Sequence, residues 1–114
     1  MLGAAALGDI GRHFPDTDPR YKDVDSMSLL ATTTRLIADA GYRVVNVDSN
    51  IIAQRPKLSP YLNAMSERIA GVLGVSARDV SVKAKTNESV GPEGRGEAIS
   101  AQAVAMLKHE RRDA

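Results

Sequence analysis

A chain of 114 residues is one domain with room for one modest core. Its hydrophobic fraction of 43%, charged fraction of 25% and net charge of +1 are those of a soluble globular protein, and point neither to nucleic acid nor to an anionic membrane. Cysteine is absent, which excludes disulfides and thiolate metal sites and fits a cytoplasmic protein. With one Phe, three Tyr and no Trp, the core has to be aliphatic.

Residues 1–7 are apolar with high helix propensity, and Gly8 is a helix stop. They lack a basic leading segment and do not read as a signal peptide. No apolar run approaches the roughly 18 residues of a membrane span. The chain therefore reads as starting within a helix. Residues 8–19, GDIGRHFPDTDP, have neither helical nor strand period. Pro15 and Pro19 hold their predecessors out of the α region, and glycines at 8 and 11 permit positive φ. This is a shaped loop. It is either a solvated turn, which composition alone slightly favours, or a binding site.

Asp25 or Ser26 can cap a helix reaching about Ala40, with an apolar stripe at Met27, Leu30, Ala31, Thr34, Ile37 and Ala38. Gly41 ends it. Residues 42–53 then alternate, with Val45, Val47, Ile51 and Ala53 on one side and Asn46, Asp48 and Asn50 on the other, which predicts a strand. Its polar row is a solvated sheet face or a surface buried against another copy. Residues 54–60 form a loop in which Ser59 and Pro60 read as N-cap and first residue of the next helix. Leu62, Met65, Ile69, Val72 and Leu73 give that helix its stripe, and Gly74 stops it. After a turn at 76–79, residues 80–86 alternate again, Val80, Val82 and Ala84 inward. Strand, helix and strand make a crossover unit, which favours parallel pairing. Glycines at 91, 94 and 96 predict a flexible loop. A last helix is expected over 97–110, with Ile99, Ala103 and Met106 inward and Lys108, His109, Arg111 and Arg112 at the negative pole of its dipole.

Candidate chemistry gathers in three loops. His13 and His109 are the only histidines, and neither has a neighbour at metal-ligand spacing. Carboxylates at 9, 16 and 18 can accept from hydroxyls, although Asx turns explain one of Asp16 and Asp18 equally well. Lys57 offers a point charge to phosphate, or belongs to an ordinary basic surface loop. The Gly-rich stretch before 97 offers backbone amides, with Arg95 as a bidentate donor.

Three ordered blocks resemble the 2-C-methyl-D-erythritol 2,4-cyclodiphosphate synthase family of the non-mevalonate isoprenoid pathway. They are GDIGRHFPDTDP at 8–19, NIIAQRPK at 50–57, and VKAKTNE at 82–88 followed by GRGE at 94–97. The resemblance implies an α+β fold, a two-layer sandwich with helices on one face of a mixed sheet, four-stranded in the family and only partly present here. It implies a homotrimer whose sheets face the threefold axis and whose sites lie between subunits. It also implies one domain over 1–114, incomplete at its N-terminus, because the family's zinc ligands match nothing in this chain.

The residue roles that follow are those of the resembled family. Asp9, Ile10 and Gly11 match the part that holds the methylerythritol phosphate, and Phe14, Pro15, Asp16, Thr17 and Asp18 match the adjoining substrate loop. Ala53, Gln54, Arg55, Pro56, Lys57, Leu58 and Ser59 match the segment enclosing the cytidine and its phosphates. Lys85, Thr86, Asn87 and Glu88 close the nucleotide side. Thr86 matches the catalytic threonine that positions the substrate phosphate, and Glu88 a glutamate holding a second divalent ion. Arg95 matches a ligand-binding arginine near the trimer axis. Lys85 and Asn87 stand where Thr is frequent, and Pro92 replaces a frequent aromatic. The implied cofactors are zinc and magnesium or manganese.

The expected reaction is cyclisation of 4-diphosphocytidyl-2-C-methyl-D-erythritol 2-phosphate with release of CMP. Without the zinc ligands the chain alone is expected to turn over poorly. The alternative is a non-catalytic module that binds cytidine nucleotide or assembles trimers.

Overall fold

The computed structural model describes residues 1–110. Helices α1 (Ile10–His13), α2 (Ser26–Asp39), α3 (Leu62–Leu73) and α4 (Gly91–Gly94) and strands β1 (Tyr42–Ile52), β2 (Val80–Lys85) and β3 (Ser100–His109) follow in the order α1-α2-β1-α3-β2-α4-β3. Single 3-10 turns lie at Pro19–Tyr21, Ser59–Tyr61 and Ala77–Asp79.

The two long helices form where local signals set their ends. Asp25 caps α2, its Oδ1 accepting from the Met27 amide at 3.1 Å. Gly41, at φ +92°, lets the chain turn straight into β1. Helix α3 ends at Gly74, a left-handed residue whose amide donates to the Ala70 carbonyl at 2.9 Å.

The sheet is three-stranded, in the order β2-β1-β3. Strand β1 pairs in parallel with β2, from Val47 opposite Val80 to Ile52 opposite Lys85. On its other edge it pairs antiparallel with β3, from Tyr42 opposite His109 to Ile52 opposite Ser100. Both α2 and α3 cover one face. There Ile37, Val44, Ala70, Leu73, Val80 and Ala5 form the buried cluster, with Leu30, Val47, Ile69 and Val82 packed against it. The opposite face carries the Asp48–Lys83 ion pair at 2.9 Å beside Val104 and Met106, which are 75% and 58% exposed. The α+β fold, a mixed sheet with helices on one side, is thus the observed one.

Several local expectations are corrected. The segment 97–110 is not a helix: 100–109 is strand β3. Ala, Met, Leu and Lys favour helix locally, but β1 runs well beyond β2, and a second strand satisfies its free edge along its whole length. Alternation was also present, since Ala101, Ala103 and Ala105 pair with the core-facing Ile51, Ser49 and Val47. Lys108 and His109 end a strand rather than a helix, while Arg111 and Arg112 lie outside the described residues.

Residues 2–6 form turns instead of a helix, with Ala5 N bonded to Met1 O at 3.2 Å and Leu7 N to Leu2 O at 3.0 Å. So short a stretch does not recover the cost of helix nucleation, whereas burying Leu2 and Ala5 holds the turns in place. The loop at 8–19 does contain one helical turn, α1, and the glycine-rich loop contains another, α4. Ser59 makes no side-chain cap: it opens the 3-10 turn that leads into α3 at Leu62. Finally, the buried residue near the start of β1 is Val44, because the register shifts between Val44 and Asn46 and Val45 is the extra residue.

Ile37 is 1% exposed at the centre of the cluster. Ile37→Ala is expected to cost about 2–5 kcal/mol, measured by urea unfolding. A loss below about 1 kcal/mol would mean that the α2–sheet contact is not the core.

Candidate functional site

Because β1 and β2 are parallel and end together at Ile52 and Lys85, the two loops that follow leave the sheet side by side. The ladder runs one residue further, with Ala53 N donating to Lys85 O at 2.9 Å. Ligands in open α/β sheets sit beyond such carboxyl ends. Here the loops enclose a cleft of about 360 Å³. Ala53, Gln54, Pro56, Lys57, Leu58 and Ser59 line one side, and Ala84, Lys85 and Thr86 the other. The Arg55–Pro56 peptide is cis. Ala53 is buried at the base, while Lys57 and Thr86 are exposed to the opening.

The polar groups of the cleft are available to a ligand. Thr86 Oγ1 accepts from the Glu88 amide at 3.4 Å, so its proton is left to donate outward. Among the described residues Lys57 is in no ion pair. Beyond Thr86 the chain doubles back. Asn87 Nδ2 donates to Val90 O at 3.0 Å and to Glu93 Oε2 at 3.4 Å. Gln54 Oε1 accepts from the Ser89 amide at 3.3 Å, which joins the two loops.

The other expected residues lie elsewhere in the chain. Asp9 and Ile10 border a separate cavity of about 630 Å³ between the helices and the sheet. Asp9 Oδ1 caps α1 through the Arg12 amide at 3.0 Å. His13 Nε2 donates to Leu7 O at 2.7 Å. Phe14 packs edge-on against Tyr21 at 5.4 Å, and the Arg20 guanidinium lies over the Tyr21 ring at 5.3 Å. Asp18 both caps the turn at Pro19–Tyr21 and holds Arg20, with its Oδ2 2.8 Å from Nη2. Asp16 and Thr17 are exposed, Pro15 half-buried. Gly11 has open space except toward Asp9 Oδ1. Glu88, Asn87, Arg55 and Arg95 do not line the cleft, and Arg95 forms a bidentate pair with Glu97 at 3.1 and 3.3 Å. Within one chain the Asp9 loop and the Lys57–Thr86 cleft are therefore separate places.

Two features here had no signal in the sequence. Glu88 and Ser89 are consecutive left-handed residues, at φ 50° and 65°, although neither is Gly or Asn. The Gln54–Ser89 bond spans two loops that only the fold brings together.

Among the described residues no three His, Cys, Asp or Glu side chains converge. Zinc needs three or four ligands, so these residues do not fit it. A lone exposed carboxylate such as Glu88 does not make a protein-built magnesium site either.

Helices on one face of a mixed sheet, with a small-molecule-sized cleft at the ends of its parallel pair, define an α+β protein with a candidate ligand site there. Comparison with known proteins narrows this. The chain belongs to the YgbB family, whose profile matches residues 1–108. It is similar to the 2-C-methyl-D-erythritol 2,4-cyclodiphosphate synthase of Moorella thermoacetica, 60% identical over 107 residues that cover 94% of this chain and 66% of the relative. That of Nitrosospira multiformis is 57% identical over 96% of this chain and 62% of its own length. The chain thus spans about two thirds of the curated relatives it matches. Among solved structures, the bifunctional IspDF of Campylobacter jejuni superposes with a TM-score of 0.91 at 39% identity, covering 95% of this chain and 29% of that one. The CDP complex of IspF from Plasmodium falciparum superposes with a TM-score of 0.82 at 34% identity, covering 96% and 65%.

The Asp18 carboxyl is held below its ordinary value of 3.8, first by the Arg20 side-chain hydrogen bond and then by the Arg20 amide. Any stability from this pair is therefore full above that value and fades as pH falls through the lowered one. Arg20→Ala is expected to move the Asp18 midpoint upward in a carboxyl-carbon NMR titration. An unmoved midpoint would show that the ion pair is not formed in solution.

Proposed function

We propose that this chain supplies the cytidine-nucleotide side of a 2-C-methyl-D-erythritol 2,4-cyclodiphosphate synthase. The observation that carries the reading is the cleft: apart from Ala84, every residue lining it belongs to the two segments that resemble the family's nucleotide site. The relatives' names supply the reaction, and the complex of the Plasmodium falciparum relative with CDP supplies the ligand class.

In this reading the backbone from Ala53 to Pro56 faces the pyrimidine, while Lys57 sets a positive charge against the phosphates. Thr86 donates its hydroxyl proton to a phosphoryl oxygen as charge builds there. The 2-phosphate oxygen bonds to the β-phosphorus, the bond from that phosphorus to the CMP oxygen breaks, and CMP leaves with the electron pair. The methylerythritol side would be held by Asp9, Gly11 and the loop through Asp18, contributed across an interface from a neighbouring copy in a homotrimer. Separate locations for Asp9 and Thr86 in one chain suit such a shared site. Zinc and magnesium or manganese are the cofactors this family implies. The described residues do not build their sites. A cytoplasmic location goes with this function. No helix among the described residues is long and apolar enough to cross a membrane.

The same donor set favours a second reading of this chain by itself, as a nucleotide-binding module with little turnover. Calorimetry with CMP, paired with a CMP-release assay in zinc and magnesium, tests both. CMP is expected to bind the 114-residue chain. Lys57→Ala and Thr86→Val should each weaken it roughly tenfold, the worth of one charge-assisted or phosphate hydrogen bond. No binding by folded chain would overturn both readings, and turnover matching that of a relative would overturn the second.

A further inference from the structure

The cleft has two walls, and the loop that continues one of them beyond Thr86 is held in an unfavourable shape. After Thr86 the backbone passes through Glu88 and Ser89, both left-handed, a conformation that a non-glycine residue adopts only at a cost. Such a shape persists only where its surroundings over-determine it. Two surroundings do so here.

The first is Gly94. It is buried, and a Cβ on it would overlap the Ser89 carbonyl carbon, lie 2.9 Å from the Ser89 Cα and 3.2 Å from its nitrogen. These are backbone atoms, which cannot swing aside as a side-chain end would. Gly94 N also donates to Val90 O at 3.1 Å, so the backbone is closed on itself at this point. The second is Gln54. Its own residue lines the opposite wall, and its Oε1 takes the Ser89 amide that the left-handed turn directs at it.

We propose that Gly94 and Gln54 are positioning residues. By seating Ser89 from two sides they lock the loop at 86–90 to the loop at 53–59 and so set the width of the nucleotide cleft and the aim of Thr86. Gly94 acts by what it lacks and Gln54 by one acceptor oxygen. The proposal rests on the cleft being the nucleotide site, and it assigns Gln54 a role through Ser89 rather than through the ligand.

Amide hydrogen exchange and CMP calorimetry on the 114-residue chain separate these ideas. Gln54→Ala is expected to speed exchange at the Ser89 amide roughly tenfold, as for one lost hydrogen bond, and to weaken CMP by a similar factor. Gln54→Glu keeps an acceptor and should restore slow exchange at Ser89, a rescue that a purely packing role would not give. Gly94→Ala should speed the same amide and weaken CMP at least as much, while the Ile37 amide in the core keeps its protection. Ser89 exchange unchanged in Gln54→Ala overturns the proposal, as does CMP affinity within about twofold of the parent in both Gln54→Ala and Gly94→Ala. If the parent chain does not bind CMP, the functional reading falls, and the Ser89 exchange series still decides whether the two loops are locked together.

Discussion

Everything in this structure depends on β1 having a partner on each edge, β3 along its whole length and β2 along its second half. Its parallel edge with β2 sets the place where two loops leave the sheet together, and that place is the cleft. Its antiparallel edge with β3 carries the rest of the strand, including the part that β2 is too short to reach. A backbone polar group left unpaired beside the core costs about as much as a lost hydrogen bond, so the first half of β1 needs a partner. The helices then need only one face of this ribbon, and their apolar stripes meet Val44, Val47 and Val80 there.

How much of this could be read in advance follows from where the information is local. Asp25, Gly41 and Gly74 punctuate α2 and α3, and period-two alternation marks β1 and β2, so these elements and their crossover were legible. Strand β3 was not. Ala101 to Lys108 is a good helix sequence taken alone, and only the vacant edge of β1 makes it a strand. The turns near Met1 and at Gly91–Gly94 were missed for a related reason, since packing of one or two residues decides them.

The candidate site divides in the same way. Ala53 to Ser59 and Lys85 to Thr86 were identifiable as segments, and the parallel pairing explains why they face each other. What holds them in place was hidden, because Gln54 and Ser89 are separated by 35 residues and neither Glu88 nor Ser89 is a residue type that announces positive φ. Asp18 shows the limit of reading a carboxylate as a ligand group. Its oxygens are already committed to Arg20 and to a turn, so a ligand would have to compete with both.

The extra residue at Val45 has its own consequence. It resets the phase of β1, so that Val44 on one side of the irregularity and Val47 on the other both point at the helices. In an uninterrupted strand those two positions, three apart, would point to opposite sides. Val45 itself has no partner in the ladder, so it acts as an additional residue and not through a cross-strand pair. Deleting that single residue would leave Val44 two positions from Val47, so the side chains upstream would keep their sides and the ladder with β3 would simply become regular.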